Sequence, residues 1–464
     1  MYFSRIFFLE KNQSKVEYEK MSLAIATRIN DLRDHMSDEV LKNECRMNPS
    51  DFTRKSPLNF VNLILLLLTK TGLTNTMELT VFFEKIGELN VTKEAFSQAR
   101  LKLNPIVFKK LQKQYLASFY QNDNVRKEFK KYLLLACDGS KIELPHHKSL
   151  VDIFGGTKSK FGGIMSCMGN SSTVYDVLNK FVFDFEIESY KTSEKTLVLK
   201  NLTNLFKMDF LNDFKKIFIF DRGYRSIEFF HYFMKRKEKF VFRLRTKDYK
   251  KEKLKLRSND QWMNIEITKG RLNHLEDEKL KSTLLNIGIL NLRVITVTLV
   301  TGEIEYLITN LDKRDFKYRD IVEIYRLRWE IEVTFKTLKS LLKVENISGY
   351  TKIAVEQDLF SQILAYNITN DLRNGSQNKK DKNSEKSVFE KKKQGKINTN
   401  IVIGHFKLKI IKIFLENNKE KQENMLCSLI LKLSKYYTNT STKKYEHSEN
   451  TPWRKNPTNN RRSF

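Results

Sequence analysis

Tyr325-Arg-Leu-Arg-Trp-Glu-Ile-Glu-Val-Thr-Phe-Lys-Thr-Leu-Lys339 is the stretch from which the organisation of the chain can be worked out. It holds no Gly or Pro, and its periodicity predicts a helix over roughly 320–343. At about 100° per residue, Tyr325, Arg328, Glu332 and Lys339 fall within about 60° of one another. Ile324, Ile331, Phe335, Leu338 and Leu342 form an apolar stripe beside them. The neighbouring acids Glu323 and Glu330 point to the far side. One carboxylate, flanked by two cations and a phenol, therefore sits at the edge of the buried face. A lone carboxylate there is more often a satisfied ion pair than a catalyst, so its partners must be sought elsewhere in the chain.

The 464 residues suffice for several domains and a sizeable core. Lys and Arg number 84 against 55 Asp and Glu, a formal net charge of +29. That excess makes a polyanion the expected partner, nucleic acid before anionic membrane. AT-rich coding explains part of it, since Lys, Asn, Ile and Phe are all abundant, but the same bias would enrich Glu. Cys45, Cys137, Cys167 and Cys427 are scattered without a CxxC pair, which argues against a zinc site or a disulfide framework and fits a reducing compartment. The N-terminal apolar run is too short for a signal peptide, and the longest apolar run, 60–68, is interrupted by Asn62 and too short to span a bilayer. A soluble, cytoplasmic, nucleoid-associated protein without a membrane partner is expected.

Residues 1–130 read as a helical region. Met21 opens a good helical pattern, so the residues before it are either an upstream extension of the reading frame or a disordered arm. Helices are expected after Ser56-Pro57, from an Asn75 cap, and from a Thr92 cap, the last exposing Arg100 and Lys102. That pattern suits a small DNA-binding module and a plain helical bundle equally. From Lys131 the chain alternates. Apolar strands at 132–137 and 216–220 each run into an acid, Asp138-Gly-Ser and Asp221-Arg-Gly-Tyr. Ile142 and Leu144 alternate as in a paired next strand, and further strands are expected at 163–168, 174–178, 181–187, 240–245 and 305–309. Residues 246–304 read as a β-rich insertion. Beyond the helix of 320–343, residues 346–437 read as helical, broken by a Lys-rich, disordered linker at 375–396, and 438–464 reads as a basic, disordered tail.

Each Asp alone is also an ordinary turn residue. Two apolar strands each ending in Asp, with a third acid on a cation-flanked helix, specify something narrower. Mg²⁺-type ions take carboxylate and water oxygens. Two such ions a few ångströms apart clamp an in-line displacement at phosphorus. Asp138 would bridge both, Asp221 and Glu332 would each hold one, and Arg328 and Lys339 would meet the flanking phosphates. His146-His147 is set aside, because neighbouring residues of a strand face opposite sides.

These residues resemble the DDE transposases of the insertion-sequence-four family, whose signature spaces Tyr, Arg, Glu and Lys as Tyr325, Arg328, Glu332 and Lys339 are spaced here. Asp138-Gly-Ser and Asp221-Arg-Gly-Tyr fill the family's other two positions, and the resemblance runs from about Arg54 to Leu372. It implies an α/β, ribonuclease-H-like catalytic domain over 131–345, with a β insertion between the second and third acids. It implies catalytic and metal-binding roles for Asp138, Asp221 and Glu332 with two Mg²⁺ ions, Mn²⁺ being able to substitute. The implied reaction is cut-and-paste transposition through a DNA hairpin. A metal-activated water nicks one strand at the element's end, and the freed 3′-hydroxyl attacks the opposite strand. A second water opens the hairpin, and the 3′-hydroxyl then joins target DNA. Partners would be the terminal inverted repeats, target DNA and a second copy of the chain, paired on DNA. DNA contacts would come from Tyr325, Arg328, Lys339 and Arg243, with a flipped base held by Tyr306, the nearest match to the family's aromatic, or more remotely by Trp262. Two alternatives are a ribonuclease-H-like endonuclease without strand transfer and a catalytically silent, domesticated DNA-binding protein.

Overall fold

The computed structural model of the chain describes residues 22–122, 126–158, 162–299, 301–384 and 395–439. The expectations for the segment before Met21 and for most of the basic tail lie outside these residues. The chain forms two compact units, one comprising Met1–Asn124, Ile142–Gly169 and Lys336–Phe464, the other Val125–Lys141 and Asn170–Phe335. Among the described residues no helix is long and apolar enough to cross a membrane.

The first unit is mainly helical and is organised on Lys352–Ser384. This helix runs on through Ser384, into the stretch expected to be a linker; residues 385–394 of that stretch lie outside the described residues. Val355, Leu359, Ile363, Leu364, Ile368 and Leu372 give it an apolar face that is almost fully buried. Two buried aspartates tie it to the N-terminal helices. Asp371 accepts from Arg28 Nε (2.8 Å) and from Tyr115 Oη (2.6 Å), and Asp358 pairs with Lys70 Nζ (2.8 Å) and Arg100 Nη2 (3.1 Å). Arg100, expected to be exposed on the helix Lys93–Leu101, is instead 4% exposed. Its guanidinium also donates to Gln357 Oε1, Ser348 Oγ and the Ala354 carbonyl, at 2.8, 2.6 and 2.7 Å. A helical pattern cannot tell an outward-facing Arg from one aimed at a buried acid hundreds of residues away.

Local signals fared variably. Thr92 caps its helix as expected, whereas Asn59 rather than Ser56 caps Phe60–Thr69, and Thr74 precedes Asn75–Ile86. In the same unit the short strand β2 (Gly156–Lys158) pairs with the start of β3 (Ile164–Asp176), Gly156 opposite Cys167. A Cβ on Gly156 would lie 1.8 Å from the Ser166 carbonyl oxygen, so only glycine fits.

The second unit is α/β. Its sheet runs β3–β1–β5–β6–β9–β8–β7, with β4 (Phe181–Ser189) also on β3. The strands are β1 (Tyr132–Glu143), β5 (Lys215–Phe220), β6 (Lys239–Leu244), β7 (Asp260–Glu266), β8 (Ile289–Thr298) and β9 (Ile304–Thr309). β1, β5 and β6 are mutually parallel, and the rest from β6 to β7 is antiparallel. Leu133 to Cys137 and Ile217 to Phe220 are buried without alternation, as parallel strands covered on both faces require. Phenylalanines supply much of the cover: Phe220 stacks on Phe242 at 4.5 Å, and the helix Ile227–Lys235 adds Phe229, Phe230 and Phe233.

Three sequence expectations change here. β1 does not stop at Asp138 but continues through Glu143, so Ile142 belongs to the same strand rather than a partner. The insertion carries helices (Lys250–Lys253, Glu278–Ile287) as well as β7 and β8. Its strands extend the sheet, and the fully buried Arg293 of β8 pairs with Asp260 of β7 and fastens the insertion to the carbonyls of Leu311 and Phe316. The signature helix is two helices, Tyr318–Arg326 and Trp329–Ser340. Between them Arg328 N–H donates to the Tyr325 carbonyl and Ile331 N–H to that of Arg328, a tightened turn in place of α-helical spacing.

Arg100→Ala is expected to cost about 3–5 kcal/mol, because it leaves Asp358 short of a counter-charge in the core; urea unfolding of the full chain measures it.

Candidate active site

The site is set by register. Cys137 on β1 is level with Phe220 on β5, so the next residues, Asp138 and Asp221, stand beside one another at the carboxyl ends of adjacent parallel strands. Asp138 lies within β1 and accepts its own Gly139 N–H at 2.9 Å. Gly139 is needed for a close approach rather than a turn. A Cβ there would lie 3.1 Å from the Ser171 carbonyl oxygen and 3.3 Å from Tyr224 Oη. Burial pushes the Asp138 carboxyl up to about 6; Gly139 N–H and Arg328 hold it down, while Asp221 and Glu194 push the same way as burial.

Arg328 links the first acid to the third. Its Nη2 donates to Glu332 Oε1 at 2.8 Å, and its Nη1 lies 3.6 Å from Asp138 Oδ2. The break between the two helices puts this residue 4% exposed, its guanidinium 5.6 Å from the ring centroids of both Tyr325 and Trp329. Tyr325 Oη donates to Asp221 Oδ1 at 3.2 Å. Burial raises the Tyr325 phenol far above its ordinary value, so it stays a donor. The structure thus links six of the eight expected residues: Asp138, Asp221, Glu332, Tyr325 and Arg328, with Arg243 at their edge.

Arg243 on β6 joins them. Its Nη1 is 4.0 Å from Asp221 Oδ1, and its Nε is 2.9 Å from Glu305 Oε1. Tyr306 does not join them. Arg243 faces Leu307 across the ladder, so Glu305 and Leu307 share its side of the sheet and Tyr306 points to the other. There the Lys253 ammonium lies 4.2 Å from the Tyr306 ring centroid. Lys339, in the last turn of Trp329–Ser340, has its Nζ 3.4 Å from Glu345 Oε1. Trp262 is on β7 and 44% exposed. His146 and His147 lie in the loop after β1 rather than on a strand: His147 caps the helix Lys148–Phe154 and His146 Nε2 meets the Ile164 carbonyl.

Four residues of the site have a place there that the sequence alone does not suggest. Glu194, in the first turn of Glu194–Leu205, lies against Gly139, its Cγ 3.4 Å from where a Cβ would be. Tyr224 Oη is buried beside Gly139 without a hydrogen bond. Glu305 precedes Tyr306 on β9 and takes the face that Arg243 shares. Trp329 is 59% exposed next to Arg328, although its helix is otherwise anchored by buried apolar residues. No spacing rule marks Glu194, Glu305 or Trp329, and Tyr224 enters the sequence only as the end of Asp221-Arg-Gly-Tyr; the fold brings them together.

The carboxylates of Asp138, Asp221 and Glu332 are the ligand chemistry that suits a hard divalent cation. As placed, the acids are tied to Arg328, Tyr325 and Arg243. Among the described residues no three His, Cys, Asp or Glu side chains are gathered into a metal-holding group.

A family model described as a transposase DDE domain matches residues 129–368. The putative transposase y4zB of Sinorhizobium fredii is 29% identical over 153 residues, 32% of this chain and 40% of that protein. The putative transposase InsL for insertion sequence element IS186A of Escherichia coli is 32% identical over 66 residues, 14% of this chain and 18% of that protein. The chain thus spans less than half the length of these curated relatives. A cryo-EM structure of a piggyBac transposase synaptic complex with hairpin DNA overlays at a TM-score of 0.43 and 9% identity, over 94% of this chain and 88% of that one, a likeness too loose to carry an argument.

Because the folded Asp138 carboxyl titrates above its ordinary 3.8, folding favours its protonated form, and stability falls as pH rises from about 4 to about 6. Asp138→Asn removes this buried charge. It is expected to stabilise the protein at pH 7.5 in EDTA by about 2 kcal/mol, read as a higher urea midpoint.

Proposed function

The chain belongs to the transposase DDE domain family, and from that premise we propose that it is a DNA transposase of the insertion-sequence-four type, cutting and joining DNA at the ends of a mobile element. The observation that carries this reading is the Cys137–Phe220 register, which sets Asp138 and Asp221 side by side, together with the Arg328 bridge from Asp138 to Glu332. Parallel β1, β5 and β6 extended by antiparallel β9 support a ribonuclease-H-like core. The partners would be the element's terminal repeats and target DNA, in keeping with the charge of +29, and a second copy of the chain paired on DNA.

Mg²⁺ ions, held by Asp138, Asp221 and Glu332, would supply Lewis-acid activation of the attacking oxygen and stabilisation of the leaving one. The chain's own residues do the rest. Tyr325 orients the Asp221 carboxylate through its hydroxyl. Arg328 neutralises Asp138 and Glu332 and, shared with a phosphate, would carry charge toward the scissile group. Arg243 and Lys339 would contact the DNA backbone. In the hairpin step a base must leave the stack and be held. Trp329, exposed beside Arg328, suits that role better than Tyr306, which faces the opposite side of the sheet.

The deciding experiment incubates the full chain with DNA carrying the element's own ends, with and without Mg²⁺, on a denaturing gel. Glu332→Gln is expected to lower cleavage by at least about a thousandfold while end binding persists. Unchanged cleavage would remove Glu332 from the ligand set. Cleaved ends that never join target DNA would make the protein an endonuclease, and binding without cutting would make it a silent one. Trp329→Ala should deplete the hairpin intermediate by roughly ten- to a hundredfold, and Tyr306→Ala should leave it unchanged. The reverse pattern would return the base-holding role to Tyr306.

A further inference from the structure

Arg243 stands between two carboxylates, with Nε 2.9 Å from Glu305 Oε1 and Nη1 4.0 Å from Asp221 Oδ1. The shorter contact is set by the sheet. Arg243 is level with Leu307 in the β6–β9 ladder, and Glu305 follows two residues along on the same face, within reach of a long side chain. Glu305 is the more buried acid, its side chain 11% exposed against 31% for Asp221. Burial pushes the Glu305 carboxyl upward, and Arg243 and then Arg328 pull it back.

An arginine so placed has a second resting position. Without Glu305, its guanidinium gains most by closing on Asp221 and neutralising it. An ammonium or guanidinium paired with a carboxylate competes with every other cation for the same oxygens.

We propose that Glu305 is a positioning residue that holds the Arg243 guanidinium to one side, keeping Asp221 open to a divalent cation. The proposal rests on the reading of Asp138, Asp221 and Glu332 as the ligand set. Glu305 itself touches neither cation nor DNA; it acts through Arg243. It also leaves Arg243 oriented with part of its donor set unspent, which suits a phosphate contact from the same side chain.

The test is calorimetric titration of Mn²⁺ into the purified full chain without DNA, with melting temperatures measured in parallel. Glu305→Gln is expected to weaken Mn²⁺ binding by roughly tenfold. The Glu305→Gln/Arg243→Gln double variant should recover wild-type affinity, because the competing cation is gone. A lower melting temperature in Glu305→Gln with Mn²⁺ affinity unchanged would reduce Glu305 to a structural ion pair and overturn the proposal. Equal weakening in the single and double variants would overturn it too, since the effect would not then pass through Arg243. If Glu332→Gln binds Mn²⁺ as tightly as the wild-type chain, the ligand set itself is misassigned, and the proposal falls with it for a separate, identifiable reason.

Discussion

The site depends on the pairing of β1 with β5. Both strands are buried on both faces, so their apolar runs carry no alternation to fix how they slide past each other. Register must come from tertiary packing; on the β5 side, the stacked rings of Phe220 and Phe242 and the helix bearing Phe229, Phe230 and Phe233 hold β5 against β6. A slip of one residue would turn Asp138 to the opposite face from Asp221. The phenylalanine cluster reaches Phe220, the residue before Asp221, and so anchors the end of β5 from which that carboxylate projects.

Holding acids together in a partly buried place is costly, and the chain offsets the cost with fixed cations. Arg328 serves Asp138 and Glu332, Arg243 serves Glu305 and approaches Asp221, and Tyr325 gives Asp221 a hydroxyl. Even so, Asp138 remains a carboxyl for which burial outweighs its partners. A group kept short of its full counter-charge is what a cation-binding site needs, and a stability-optimised core would have removed it.

The helical unit uses ion pairs to a different end. Asp358 and Asp371 lie on one long helix and are saturated by Lys70, Arg100, Arg28 and Tyr115. These groups fasten helices far apart in sequence. They show how little of a charge excess of +29 can be assigned to DNA by inspection, since some of the most basic-looking positions face the core.

Much of the site was legible along the chain. Strands running into Asp138 and Asp221, and the spacing of Tyr325, Arg328 and Glu332, follow from local periodicity and residue chemistry, which need no knowledge of what packs on what. The helical wheel put Tyr325, Arg328 and Glu332 on one side although the helix it assumed is broken at Arg328, because a tightened turn shifts the angle without moving those residues to the far side; Lys339, which it grouped with them, pairs instead with Glu345. The depth of Arg328, the inward turn of Arg100, the face of Tyr306 and the arrival of Glu194, Tyr224 and Glu305 could not be read in this way. Each depends on contacts between residues distant in sequence: a strand's register decides which of Glu305 and Tyr306 looks at the acids, and a buried acid decides where an arginine points. The sequence by itself determined which groups could do the chemistry; the tertiary structure decided which of them meet, because burial and register exist only once the strands have paired.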